Sequence, residues 1–132
     1  MIQKAHIIST GSYLPEKVLS NSDLEKMVDT SDEWIFSRTG MKERRLAAAD
    51  EPTSEMGFQA AKKAIEKAGI DVEEIELILF ATLTPDYPFP STACLIQARL
   101  GAFNAAAVDL QAACTGYIYA LSQAKAYIES GM

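Results

Sequence analysis

Three features of the 132-residue sequence predict a layered α/β fold. Two short runs, "IELILFATL" and "AAAVDL", are apolar on both alternating faces, the pattern of strands covered on both sides in a parallel sheet. Each run is followed by a stretch with helical start and stop signals. Strands alternating with helices in this way build a sheet with helical layers against it.

Taken in order, "AHIISTGSYLP" reads as a first strand ended by Gly11 and Pro15, and Asn21 as the N-cap of a short helix over "SDLEKMV". "SDEWIFSR" reads as a helix stopped at Gly40, and "KERRLA" as a short polar strand. The clearest helix is "TSEMGFQAAKKAIEKAG". Met56, Ala60, Ala64 and Ala68, with Ala61 and Ile65, share one face, Lys62, Lys63, Glu66 and Lys67 lie elsewhere, and Gly69 supplies the stop. After the strand "IELILFATL", "STACLIQARLG" is a helix capped by Ser91 and closed by Gly101. "AAAVDL" is the next strand, and "CTGYIYALSQAKAYIESG" a last helix ending at Gly131. That helix is free of charge until Lys125, so its first half is expected to be buried, in a larger assembly and not in a single small domain.

Composition narrows the function classes. The length suits one domain with a real core, and 48% hydrophobic against 23% charged residues reads as globular and soluble. A net charge of -6 argues against nucleic acid as a partner, although "RTGMKERR" is locally basic and suits a small anionic group. The longest apolar run falls far short of the roughly 20 residues that cross a bilayer, and the N-terminus has no signal-peptide pattern. Two cysteines, in no CxxC pattern, suggest neither a disulfide scaffold nor a metal site, and a reduced, cytoplasmic setting follows.

Cys114 lies where "DLQAACTGYIYAL" turns from strand to helix. The first N–H groups of a helix lack internal partners and carry the positive end of its dipole. A thiolate at such a position is stabilised, and the same N–H groups can receive an oxyanion formed on a thioester carbonyl. Ala112, Ala113 and Gly116 keep the surroundings small. The mechanics are those of a nucleophile elbow, although "AACTG" is not G-x-S-x-G. Position alone leaves a second reading open, in which Cys114 is a small core hydrophobe. Cys94, about one turn into its helix, is read as core packing, and His6 as structural. Asp109, inside an apolar strand, must find hydrogen-bond partners.

"DLQAACTGYIYAL" resembles the nucleophile segment of β-ketoacyl-acyl carrier protein synthase III, a thiolase-fold condensing enzyme. "GSYLP", "TSDEWIFSRTGMKERR" and "TPDYPFPSTAC" stand in that family's order and spacing, and the resemblance covers essentially residues 1–132. Met41, where isoleucine is usual, is a conservative departure. The resemblance implies the N-terminal half of a thiolase-like layered αβαβα fold, ending just after the nucleophile helix with the C-terminal half absent. On that view the chain is expected to be truncated, cleaved or incomplete.

The roles implied by the resemblance are carried over one residue at a time. Cys114 matches the acylated nucleophile, its own N–H forming part of the oxyanion hole. Trp34 matches the tryptophan stacked on the adenine of coenzyme A, Thr30 the threonine beside that base, and Arg38 the arginine near the phosphates. Phe89 matches a phenylalanine that crosses the dimer interface into the partner's acyl pocket. Each has a plainer competitor: Trp34 shares helical spacing with Met27, as a core tryptophan would, though its polar flanks favour a partly exposed ring, and Arg38 could lie on an ordinary solvated face. The implied substrates are acyl-coenzyme A and malonyl-acyl carrier protein, in a homodimer with no permanently bound cofactor. The histidine and asparagine that assist decarboxylation in the family have no counterpart here, so this stretch alone is expected to be inactive in condensation. The alternatives are a non-catalytic coenzyme A-binding or dimerising half, and a secondary-metabolite or hydroxymethylglutaryl-coenzyme A synthase-like relative.

Overall fold

The computed structural model describes residues 4–132. They form two compact units, residues 14–52 and residues 4–13 with 53–132.

The smaller unit is a hairpin-like pair of strands holding two helices. β1 (Lys17–Ser20) and β2 (Glu43–Leu46) are antiparallel, Lys17 opposite Leu46 and Ser20 opposite Glu43. Between them lie α1 (Asn21–Leu24) and α2 (Asp32–Thr39). The N-cap of α1 is Ser20, not Asn21 as the sequence suggests. Ser20 Oγ accepts from the Asp23 N–H, and the Asp23 carboxylate accepts in return from the Ser20 N–H, each at 3.2 Å. The Ser20 hydroxyl, and then Lys26, hold the Asp23 carboxyl down from 3.8 to about 2. The stabilisation from this cap is therefore complete above the ordinary carboxylate range and is lost as pH falls through about 2. Asn21, relieved of capping, is the first residue of α1 and is buried. Ser31 caps α2 by accepting from the Trp34 N–H at 3.1 Å, and Gly40 closes it at φ 70°, a conformation that favours glycine.

The larger unit contains α3 (Thr53–Ala68), β3 (Leu77–Ala81), α4 (Thr92–Leu100), β4 (Ala106–Leu110) and α5 (Gly116–Ser130). β3 and β4 are parallel, from Leu77 opposite Ala106 to Ala81 opposite Leu110, with α4 as the crossover. Neighbouring residues of a strand point to opposite faces, and β3 uses both. Phe80 reaches α3 and α4, where Gly57 and Ile96 lie, while Ala81 meets Gly116 of α5. The sheet thus has helices on each side, the α/β layering expected from the sequence.

The core centres on α4. Thr92, Ala93 and Ile96 are essentially inaccessible, as is Ala102 just beyond the helix. Burial of a side chain the size of Ile96 contributes about 1.5–3 kcal/mol. Three sequence expectations are not met within these residues. Residues 4–15 form no strand, because a strand needs a ladder partner and no described segment offers one. Gly11 instead packs on α3, so close that a Cβ there would lie 2.2 Å from the Ala60 carbonyl oxygen. The strands are only partly covered, with Val108 of β4 exposed, because the sheet here has two strands. The first half of α5 is exposed at Tyr117, Ile118, Tyr119 and Leu121; only Gly116 and Ala120, one turn apart on the face toward β3, are buried.

Gly57 lets α3 approach that core. A Cβ there would stand 2.6 Å from the Phe80 ring and 2.7 Å from Ile96 Cδ1. Alanine favours a helix over glycine by about 1 kcal/mol, whereas overpacking costs about 1–3 kcal/mol. With two such contacts the clash wins, and Gly57→Ala in the full-length protein is expected to lower stability by roughly 1–2 kcal/mol in denaturant titration. An unchanged or raised midpoint would contradict this packing.

Candidate active site

The chain leaves β4 through a tight elbow. Ala112 has φ -144° and ψ 33°, and Ala113 has φ 47°. A left-handed alanine costs about 1–2 kcal/mol, so the surrounding bonds must hold it. They do so over one 3-10 turn, Ala113–Thr115. The Thr115 N–H and hydroxyl both donate to the Ala112 carbonyl, at 3.1 and 2.7 Å, and the Gly116 N–H donates to that of Ala113. Cys114 is the middle residue of this turn, and α5 begins two residues after it, at Gly116, not at Cys114 as the sequence suggested.

Gly116 sets the elbow down on the sheet. A Cβ on it would stand 3.2 Å from Ala81 Cβ and 4.0 Å from the Leu110 carbonyl oxygen. Even a Cβ would require Ala81 or the start of α5 to give by a few tenths of an ångström, and a larger side chain would require more. The elbow presents an exposed thiol at the strand-to-helix junction. Among the described residues the Cys114 N–H has no hydrogen-bond acceptor, which leaves it available to an oxyanion.

Cys114 also lines an apolar groove of about 1120 Å³ that follows β3 between α3 and α5. Ala60, Leu79, Ala81, Tyr117 and Leu121 are among its walls. Cys94 is placed quite differently. Its N–H donates to Ser91 Oγ and its sulfur receives the Ser91 hydroxyl, at 3.3 and 3.1 Å, so it belongs to the cap of α4.

Asp109 shows what keeps β4 in place just before the elbow. Its two carboxylate oxygens accept from the N–H groups of Thr92 and Ala93, both at 2.8 Å. A carboxylate from the next strand thus caps α4, with the dipole in its favour. The sequence required partners for Asp109 but could not name them.

In the smaller unit Trp34 and Arg38 lie on α2, and Thr30 stands two residues before that helix. Thr30 and Trp34 line a depression of about 360 Å³ with Asp29 and Ser31. Trp34 is 55% exposed and Met27 is exposed as well, so the tryptophan is not a core residue. Arg38, one turn on, holds its guanidinium carbon 4.7 Å from the indole centroid. The neighbouring cations are committed elsewhere: Arg44 to Leu19 and Asn21, and Arg45 to the carbonyls of Pro15 and Glu16. Of the basic run, Arg38 and Lys42 are the exposed cations stacked only on rings, Lys42 over Phe36.

Phe89 stands on the loop between β3 and α4, 88% exposed, before a cis Pro90. It is not among the residues lining the Cys114 groove. His6 is exposed and apart from that groove too. Among the described residues no group of histidine, cysteine or carboxylate side chains could hold a metal ion.

Comparison with known proteins identifies what these features belong to. No family model matches the sequence. Among curated proteins, β-ketoacyl-acyl carrier protein synthase III of Chlamydia caviae is 65% identical over 130 residues, covering 98% of this chain and 39% of that protein. Among solved structures, 3-oxoacyl-acyl carrier protein synthase III of Aquifex aeolicus superposes with a TM-score of 0.91 at 56% identity, over 98% of this chain and 41% of that one. The priming β-ketosynthase of the R1128 polyketide pathway gives 0.92 at 38% identity, over 99% and 40%. The chain spans about two fifths of the length of the relatives it matches. By sequence and by its thiolase-type fold, this chain is similar to about two fifths of a full-length β-ketoacyl-acyl carrier protein synthase III.

Proposed function

We propose that the protein is the initiating condensing enzyme of type II fatty acid synthesis, with Cys114 as its nucleophile. The observation that carries this reading is the elbow: an exposed thiol in a turn whose own N–H is free to bind an oxyanion, at the wall of an apolar groove. In the first stage Cys114 sulfur attacks the thioester carbonyl of acyl-coenzyme A. The negative charge passes to the carbonyl oxygen, where the Cys114 N–H receives it. Collapse expels the coenzyme A thiolate and leaves an acyl-cysteine. In the second stage malonyl-acyl carrier protein loses carbon dioxide, and the carbanion so formed attacks the acyl-cysteine. The products are β-ketoacyl-acyl carrier protein and free Cys114. The histidine and asparagine that assist this stage in the family come from beyond these residues.

Coenzyme A takes its place through the smaller unit. The exposed Trp34 ring receives the adenine, Thr30 lies beside the base, and Arg38 meets the phosphates. Stacking on an exposed indole is worth about 1–3 kcal/mol per base, enough to matter for a substrate. The coenzyme is a substrate here, and the reaction calls for no permanently bound cofactor. The strong exposure of Phe89 supports its reaching a second copy of the chain in a homodimer. We assign the reaction to the cytoplasm; among the described residues no helix is long and apolar enough to cross a membrane.

Incubating the full-length protein with acetyl-coenzyme A and measuring its intact mass tests the reading. One acetyl adduct is expected on the native protein and none on Cys114→Ala. An adduct that survives this substitution would overturn the nucleophile assignment, and no adduct on either protein would overturn the acyltransferase reading.

A further inference from the structure

The reading of Trp34 and Arg38 as the coenzyme contact leaves open what holds α2 in register. The smaller unit contains one polar side chain that is almost wholly buried, Asn21, 1% exposed. Both amide hydrogens and the amide oxygen are hydrogen-bonded. Nδ2 donates to Asp32 Oδ1 at 2.7 Å and to the Met41 carbonyl at 2.8 Å, and Oδ1 accepts from Arg44 Nη2 at 2.7 Å. The Asn21 N–H adds a bond of 3.0 Å to the Lys42 carbonyl. The orientation of the amide follows from its partners, because Arg44 can only donate and the Asp32 carboxylate accepts.

These partners have a pattern. Asp32 is the first residue of α2, and Met41 and Lys42 follow directly on its closing Gly40. Asn21 therefore grips both ends of the helix, and Trp34 and Arg38 stand between the two grips. Arg44, on β2, donates to the Leu19 carbonyl as well and so ties Asn21 to both strands. An α2 of eight residues is too short to hold its own conformation or position in water. A buried, hydrogen-bonded network fixes one arrangement, since any shift strands a polar group away from water.

We infer that Asn21, held by Arg44, is a positioning residue for the coenzyme site, setting where α2 presents Trp34 and Arg38. It touches no substrate and acts through the helix. This inference rests on the coenzyme reading of α2. It implies that damage to Asn21 weakens use of acyl donors that carry the nucleotide and spares donors that lack it.

The test compares two acetyl donors with the full-length enzyme: acetyl-coenzyme A, and S-acetyl-N-acetylcysteamine, a thioester without the nucleotide. Asn21→Asp keeps the acceptor for Arg44 but turns an acceptor toward Asp32 and Met41. It is expected to raise KM for acetyl-coenzyme A by roughly 10-fold, with kcat within about two-fold and the short donor unaffected. The exchange Asn21→Asp/Asp32→Asn restores a donor–acceptor pair between those positions and is expected to recover most of the KM. Should Asn21→Asp not fold, Arg44→Lys, which loses the planar fork, is expected to raise the same KM by a few-fold, on the order of 3. Equal losses with both donors, no recovery in the exchange, or an unchanged KM beside a raised one in Trp34→Ala would overturn the inference alone. An unchanged KM in Trp34→Ala would overturn the coenzyme reading itself, and the inference with it.

Discussion

The contact between α5 and β3 at Gly116 is the constraint on which the position of Cys114 depends. With no side chain at this position, the helix starts directly over Ala81, at the C-terminal end of the parallel strands. The chain then has only Gln111 to Thr115 in which to leave β4 and begin α5. So short a path forces the left-handed Ala113 and the single 3-10 turn, and it is this turn that exposes the thiol and frees its N–H. Strain of about 1–2 kcal/mol at Ala113 is sustained because the Thr115 bonds and the seat on Ala81 close the turn from both sides.

The strands on which this seat rests are held by polar capping as much as by apolar packing. Asp109 joins β4 to the start of α4 through two charge-assisted bonds, and α4 carries the best-buried residues of the larger unit. Asp86 does the same at α3, its carboxylate accepting from the Ser54 N–H at 2.9 Å while its own N–H donates to Thr92. The starts of α3 and α4 thus become fixed points of the unit, each satisfied by a side chain from elsewhere in the sequence. The smaller unit follows the same logic with Asn21, whose amide takes over what a core of large apolar residues would otherwise do.

Much of this was legible in the sequence, where the signal is local. α2, α3 and α4 were readable from their stops, and α4 from its cap as well, because Ser91, Gly40, Gly69 and Gly101 act on residues within one turn of themselves. β3 and β4 were readable from their apolar runs, and Cys114 from its junction. What was not legible depends on partners distant in sequence. Residues 4–15 have the composition of a strand, but a strand exists only where a neighbour completes its ladder. The apolar start of α5 reads as buried, yet its exposure depends on what lies against it. Asn21 and Ser20 are both good caps in isolation; the choice between them was made by Asp32, Met41 and Arg44, which are 11 to 23 residues away. The role of Asp109 was hidden for the same reason.

The seat of α5 on β3 fixes where Cys114 stands. The most direct measurement is the single-turnover rate of acetyl transfer to Cys114 in full-length Gly116→Val, set beside its affinity for coenzyme A. The added side chain must displace α5 from Ala81, so acetylation is expected to slow by at least roughly 10-fold while coenzyme A affinity holds. A Gly116→Val protein that acetylates at the native rate would show that the elbow does not depend on this contact, and would contradict the account.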